Sequence, residues 1–484
     1  MAGPSAVSTY IVVGAGVFGA STALELVKAG HKVTVLERSQ DGFHSPDAAS
    51  NDLNKIVRAD YSDPHYRDLA KETISIWRRS PLLSRFYHET GVLFRSGHNS
   101  TEGDAYLDVG VARANEAGST LLEQPHPGKK LKPSAYHIKS GEEALRCFPP
   151  AVRPRLGECI SKIGSRAADG QQGYFNARGG WAEADHATRA VLQEAIRLGA
   201  QVVSHAQVDE VLFDQGDKTR VVGVKTADGR SFFAGGPDGH VILCAGAWTR
   251  GLLKRIAPEQ FDAWAPMAPT AQCVITVQLD EEQRRAFKDL PVVFNIETGF
   301  YCFEPDEHGL VKAAFHCEGY QRPLPDPSIP STYPTFTTQQ DGPVDESLVS
   351  TRAAPRVPAD TPQRLLQELG LVYPELAKLK IDSDRICFYS ESEDENWIID
   401  YLPRAKGLIL AGGDSGHAFK FLPILGQLVC ARLGHSQVPS LTPHQDRVFS
   451  FAYHTELARQ NERVTSSSAS ASSSSAQATL RGRL

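Results

Sequence analysis

At 484 residues the chain is too long for one compact core, and two domains of unequal size are expected. Its 41% hydrophobic content is that of an ordinary globular protein, and a net charge of −6 without a long basic run argues against nucleic acid as a partner. The eight cysteines are scattered, with no CxxC pair and no Cys/His cluster at metal-ligand spacing, a pattern of reduced thiols in an intracellular protein rather than of a disulfide framework or a metal site.

Residues 10–13 are apolar and largely β-branched, as a buried parallel strand requires. Gly14, Gly16 and Gly19 follow in the spacing G-x-G-x-x-G, then small and apolar residues at helical spacing, then a second strand over 32–37. In such a unit Gly14 permits the tight turn, Gly16 lets the backbone approach a pyrophosphate, and Gly19 lets helix and strand pack closely. The helix start offers N–H groups and a positive dipole end to phosphates. Glu37, at the end of the second strand, is placed to accept hydrogen bonds from a ribose diol. The motif predicts a dinucleotide and does not distinguish NAD from FAD. This apolar stretch has no basic n-region and its glycines serve the turn, so neither a signal sequence nor a membrane span is expected.

A polar connection over 47–61 then carries Lys55 and Arg58, three residues apart among turn formers. Residues 64–88 read as one amphipathic helix carrying Trp77, and from 95 to 165 the pattern weakens into Pro, Gly and Lys clusters. A helix ending near Leu198 and Gly199, two short strands within 200–212, and a strand over 241–248 return the chain to the nucleotide domain. Residues 270–317 alternate apolar and polar over several short strands, and Lys312 and His316, four apart there, point to one face. A surface loop is expected over 320–362 and a helix over 362–379, and 408–420 is again strand, glycine turn and helix. Residues 466–478 are almost wholly Ser, Ala, Thr and Gln, a disordered tail. The final tripeptide partly resembles the peroxisomal address S-K-L, with Gly482 departing from it, so a cytoplasmic or a peroxisomal location is expected.

Four blocks occur in order: GAGVFG, SNDLNKIVRADY, VILCAGAWT, and the pair RICFYSESEDENWIID with GGDSGHAFKFLP. In these the chain resembles the flavin-dependent amine oxidases that include sarcosine oxidase, pipecolate and saccharopine oxidases and fungal fructosyl-amino-acid oxidases. The resemblance covers nearly everything but the tail. It implies FAD and an α/β, D-amino-acid-oxidase-like fold, unrelated to the glucose-methanol one. A Rossmann-like FAD-binding domain is expected from 8–95, 165–255 and 375–440, and a second, mixed-sheet substrate domain from 96–164 and 256–374. Residues 441–484 remain as a C-terminal helix and tail. The implied reaction takes a secondary amine or N-alkylated amino acid to an imine, with hydrogen peroxide formed from oxygen. The implied partners are a small amino-acid substrate and oxygen, for a monomer. The alternatives are a fructosyl-amino-acid oxidase, an oxidase that closes a ring on an N-methyl amino acid, and a non-catalytic flavin-binding redox sensor.

The same resemblance implies residue roles. Cys387 matches the cysteine that forms a thioether to the flavin, and its thiolate needs an electropositive setting. Gly14, Gly16, Val17, Gly19, Glu37, Arg38, Ser50, Val208, Gly416 and Lys420 fall at FAD-binding positions. Lys312, with His316 beside it, matches a lysine over the flavin, where a cation stabilises superoxide as it forms. Lys55 matches a basic position below the flavin that has the oxygen role in the fructosyl branch, so the choice between the two lysines stays open. Arg58 and Lys420 match residues that hold the substrate carboxylate, the one a planar fork and the other a point charge.

Overall fold

Two large sheets carry the fold. It is a computed structural model and describes residues 7–46, 48–96, 109–115, 134–163, 172–256, 267–317, 319 and 360–468. A six-stranded sheet runs in the order Ile398–Tyr401, Leu408–Gly412, Val241–Leu243, Thr9–Val13, Lys32–Leu36, Gln201–Val203, parallel except for its first strand. Its apolar residues alternate between two covered faces. Tyr10, Val12, Val33 and Val35 pack under the helices Val17–Lys28, Ala184–Arg197 and Leu422–Arg432. Ile11, Val13, Leu36 and Leu243 pack against the helix Thr249–Ile256 and a small antiparallel meander, Val208–Phe213, Val221–Thr226 and Ser231–Phe233. Val13 pairs with both Leu36 and Leu243, so three strands end together, where ligands bind in open α/β sheets.

The second sheet has eight strands, in the order Ile381–Ser392, Met267–Gln278, Leu310–Phe315, Phe300–Cys302, Val292–Asn295, Val92–Arg95, Gly173–Asn176, Ala135–His137. One face packs on the helix Thr361–Val372 through Leu365, Leu366 and Leu369. The other face carries Phe94, Tyr174, Phe294, Tyr301, Cys387 and Tyr389 and looks toward the site. Three of these strands, Val92–Arg95, Gly173–Asn176 and Ile381–Ser392, fall in segments that the sequence division counts with the FAD-binding domain. Alternation marks a strand but does not name its neighbours.

Local boundaries differ from the sequence expectation for identifiable reasons. The helix expected over 64–88 is Pro64–Arg79; Asp63 caps it by accepting the His65 N–H at 2.8 Å, and it stops before Ser80-Pro81. The helix expected over 362–379 ends at Val372, ahead of Tyr373-Pro374, and a separate 3-10 turn covers Leu376–Lys378. Within 270–317, Met267–Gln278 is one long strand. A helix, Glu281–Ala286, follows it on an Asp280/Gln283 capping box. Residues 320–359 of the expected loop and 469–484 of the expected tail lie outside the described residues; 466–468 belong to the helix Phe451–Ser468.

Candidate active site

After Val13 the chain turns through Gly14 at φ +103°, left-handed backbone that suits glycine. A β-carbon at Gly14 would stand 2.4 Å from the Cys244 carbonyl oxygen, and one at Gly19 would stand 1.9 Å from that of Gly14. The first glycine therefore lets two strand ends meet, and the third seats the helix on the turn. A cavity opens here, lined by Gly14, Gly16, Val17, Glu37, Arg38, Ser50 and Val208, while Gly19 is not on its wall. The buried Glu37 accepts the Ala15 N–H at 2.8 Å and the Ser39 N–H at 3.0 Å, and burial raises its carboxyl against those bonds. Ser50 Oγ accepts the Val17 N–H at 3.0 Å, and the Arg38 guanidinium lies 3.9 Å over the Trp248 ring.

These residues fit a dinucleotide such as FAD. Two glycines leave the wall bare at a helix start whose Gly16 N-cap brings no side chain, which keeps room for phosphate, and the acid follows at the second strand end.

A second cavity adjoins the first across one wall. Phe388 and Asp414 line the first; Tyr389, Ser415 and Gly416 line the second. Gly416, at φ +69°, therefore faces the second cavity, and a β-carbon there would stand 2.7 Å from the Tyr389 ring. Lys55, Arg58, Tyr61, His316, His417 and Lys420 share that cavity. Arg58 is buried and paired with Asp60, whose Oδ2 accepts from the Tyr174 hydroxyl at 2.7 Å and the Asn176 amide at 3.1 Å. This pair is inside the protein, not on its surface. Burial alone would raise the Asp60 carboxyl, but Arg58 with the Tyr174 and Asn176 hydrogen bonds together hold it low. Lys420 donates to the Tyr61 hydroxyl at 2.6 Å and the His417 carbonyl at 3.0 Å; burial, then the charge of Arg58, pulls its ammonium well below the usual range. Burial with Arg58 and Lys420 pulls His316 down to about 4, so its ring is neutral at pH 7.

Lys312 lies elsewhere. It and His316 leave the strand on one side, but only His316 reaches the cavity. Fully buried, Lys312 donates to Asp52 Oδ2 and to the Asn54 carbonyl, each at 2.7 Å. Lys55 donates to the same Asp52 oxygen at 2.8 Å, and Arg385 lies 2.7 Å from Oδ1. Burial would raise the Asp52 carboxyl, but Lys312, Lys55 and Arg385 together hold it far below the carboxylate range. Burial brings the Lys312 ammonium down to about 8 against the pull of Asp52. Cys387 is buried with Sγ 4.0 Å from Lys55 Nζ, on the wall of neither cavity.

Residues 9–432 match the FAD dependent oxidoreductase family. The chain belongs to that family. It is 28% identical over 443 residues to L-saccharopine oxidase of Schizosaccharomyces pombe, covering 88% of this chain and 89% of that protein. It is 25% identical over 445 residues to monomeric sarcosine oxidase of a Bacillus species, covering 91% and 94%. Among solved structures it is similar to the fructosamine oxidase Amadoriase II of Aspergillus fumigatus, at TM-score 0.73 and 26% identity over 94% of this chain and 91% of that one.

The cofactor of this FAD-dependent oxidoreductase is thereby decided where the glycines alone left NAD open. Among the described residues no helix is long and apolar enough to cross a membrane, and no group of His, Cys, Asp and Glu could hold a metal ion. Sequence reasoning gave no role to Asp52, Tyr61, Arg385 or His417, and offered Asp60 only as a surface partner for Arg58. Asp52 stands three residues before Lys55, a visible signal; Tyr61 and His417 lie inside quoted blocks, but their partners are far away in the chain.

Proposed function

We propose that this oxidoreductase oxidises the secondary amine of an N-substituted amino acid, with oxygen as the electron acceptor and hydrogen peroxide as product. The relatives named L-saccharopine oxidase and monomeric sarcosine oxidase support that class. The observation that carries it is the presence of Arg58 and Lys420, both buried, on the wall of one cavity. Asp60 neutralises one of these charges, and a substrate carboxylate would neutralise the other. Arg58 would read the plane of that carboxylate and Lys420 would add a point charge.

Bound FAD supplies the two-electron redox chemistry. Gly14, Gly16, Glu37, Arg38 and Ser50 would hold it, and Cys387, beside the Lys55 ammonium, is the residue for a thioether to it. Lys55, Arg58 and Lys420 surround the substrate with positive charge, which favours its amine in the neutral form. The neutral His316 ring has a lone pair for a hydrogen bond from that amine. Lys55, on the cavity wall, is the cation for the negative charge that develops as oxygen is reduced.

Peroxide release from FAD-loaded enzyme, across N-substituted amino acids and their decarboxylated amines, tests this. A strong preference for the acids is expected. Equal rates on acid and amine would remove the reading. Formaldehyde, glucosone or a new ring among the products separates demethylation, deglycation and cyclisation.

A further inference from the structure

We infer that Tyr61 and His417 are positioning residues for Lys420: with the Glu395 carbonyl they form a one-way chain of hydrogen bonds that aims the remaining ammonium hydrogen at the substrate carboxylate. This rests on the carboxylate reading above and adds the residues that make the cation directional.

The direction of the chain follows from its ends. The Glu395 carbonyl can only accept, so His417 Nε2, 2.9 Å away, carries a proton and donates it. Burial and the neighbouring cations bring His417 down to about 3, so the ring is neutral and Nδ1 is a bare lone pair. The Tyr61 hydroxyl, 3.3 Å from Nδ1, therefore donates to it. That turns the Tyr61 oxygen lone pairs toward Lys420 Nζ, 2.6 Å away, which can only donate as the ammonium that a bound substrate carboxylate restores against burial and Arg58. A second Lys420 hydrogen goes to the His417 carbonyl at 3.0 Å. Two of three ammonium hydrogens are thus drawn back by residues 61 and 417, and the third is left for the cavity that Lys420 lines. The opposite direction would set a lone pair against the Glu395 carbonyl and a hydroxyl hydrogen against an ammonium.

The far end of the chain is anchored. Glu395 holds φ +65°, a backbone conformation that a residue with a side chain keeps only when its surroundings fix it. Here the Glu395 N–H donates to the Ser392 carbonyl at 3.4 Å, and Ser392 Oγ donates to the Asn396 carbonyl at 2.6 Å. Asp394 accepts from the Asn396 side chain and from the Tyr453 hydroxyl, the latter at 2.8 Å. Tyr66 and Trp397 pack against the His417 ring, at 4.9 and 5.4 Å between centroids, which limits the orientations open to it.

The test uses the full-length, FAD-loaded enzyme, with acetate and piperidine as binding probes read from flavin absorbance and L-pipecolate as the probe of turnover. Tyr61→Phe and His417→Leu should each weaken acetate about three- to tenfold, the loss of one oriented hydrogen bond. Piperidine binding should be unmoved, and KM for L-pipecolate should rise by a larger factor than kcat falls. His417→Gln, whose amide both donates and accepts, should recover part of the loss. In a Lys420→Met background Tyr61→Phe should add nothing. Equal weakening of acetate and piperidine, or full additivity with Lys420→Met, overturns the inference. If Lys420→Met leaves acetate binding unchanged, the carboxylate reading itself fails. If Lys420→Met weakens acetate but neither Tyr61→Phe nor His417→Leu does, only the positioning chain fails. Should Tyr61→Phe not fold, the comparison of His417→Leu with His417→Gln decides the same point.

Discussion

Lys55 and Lys312 donate to the same oxygen of Asp52, at 2.8 and 2.7 Å, and Arg385 closes on the other oxygen at 2.7 Å. One buried carboxylate therefore holds three cations together. Asp52→Asn would remove the only neutralising charge in that group, and unpairing buried charge typically costs about 3–5 kcal/mol. Urea unfolding of the FAD-loaded variant should show a loss of that order. A loss below about 1 kcal/mol, the surface-pair range, would mean that solvent already screens the cations.

The same carboxylate separates the roles of the two lysines. Lys312 is held by Asp52 and the Asn54 carbonyl and lines a different cavity, whereas Lys55 lines the one with Arg58 and Lys420. Lys55→Met should slow reoxidation of the reduced enzyme by oxygen about a hundredfold, the effect of removing one preorganised charge. Reduction by substrate should change much less. Lys312→Met should mainly cost stability. Stopped-flow traces in which Lys312→Met alone impairs reoxidation would return the oxygen role to Lys312.

Much of this site is legible in the sequence wherever its parts are local. Gly14, Gly16, Gly19 and Glu37 belong to one strand-helix-strand unit, and the turn is shaped within it, at the Cys244 strand end and by Ser50. The Asp52 group is different. Lys312 and Arg385 come beside one another only because Leu310–Phe315 and Ile381–Ser392 both pair with Met267–Gln278. Alternation says correctly that Lys312 and His316 share a side of their strand, but nothing in their spacing says that a carboxylate intercepts one of them. Element ends were readable yet easily overrun: Ser80-Pro81 and Tyr373-Pro374 are stop signals, and the Asp280/Gln283 pair is a start signal.

Cys387 gives a prediction that needs no kinetics. Its Sγ lies 4.0 Å from Lys55 Nζ, and it is the cysteine proposed above for the thioether. Acid-precipitated enzyme should keep its yellow colour in the pellet, and Cys387→Ala should release it to the supernatant. A colourless wild-type pellet would remove the covalent bond.

The carboxylate clamp predicts a change in preference rather than a simple loss of rate. Lys420→Met and Arg58→Leu should each weaken an N-methyl amino acid by about 2–4 kcal/mol, the range for breaking a desolvated charge pair. The matching N-methyl amine should be scarcely affected, so the acid-to-amine ratio of kcat/KM should fall toward one. Two variants with the wild-type ratio would make both residues structural.

The last prediction lies away from the site, where His31, which precedes the second strand of the parallel sheet, meets His435, which follows the helix Leu422–Arg432. The Ser8 backbone N–H donates to His31 Nδ1 at 3.3 Å, so the His31 proton sits on Nε2. That nitrogen lies 3.3 Å from His435 Nδ1, and His435 Nε2 lies 2.9 Å from the Tyr10 hydroxyl. Each ring therefore carries one proton, and a second would fall on a nitrogen already accepting a bond. Burial lowers both pKa values, and the charges of His31 and His240 lower His435 further, while Asp238 acts in the opposite sense on each. In the unfolded chain a histidine titrates near 6.5, about where protonation begins to favour unfolding. Stability from this pair is complete above that pH and is lost as pH falls through it toward the lower native values. His240, His316, His417 and His454 are lowered too and add to the same slope, so wild type alone cannot assign it. The decisive comparison is His435→Asn: it should be less stable than wild type at pH 8 and lose less of its stability between pH 8 and about pH 5, over which an unfolded-state histidine gains its proton. Thermal unfolding across that range checks it, and a variant with the full wild-type slope would mean that His435 is already charged or already solvated in the native protein.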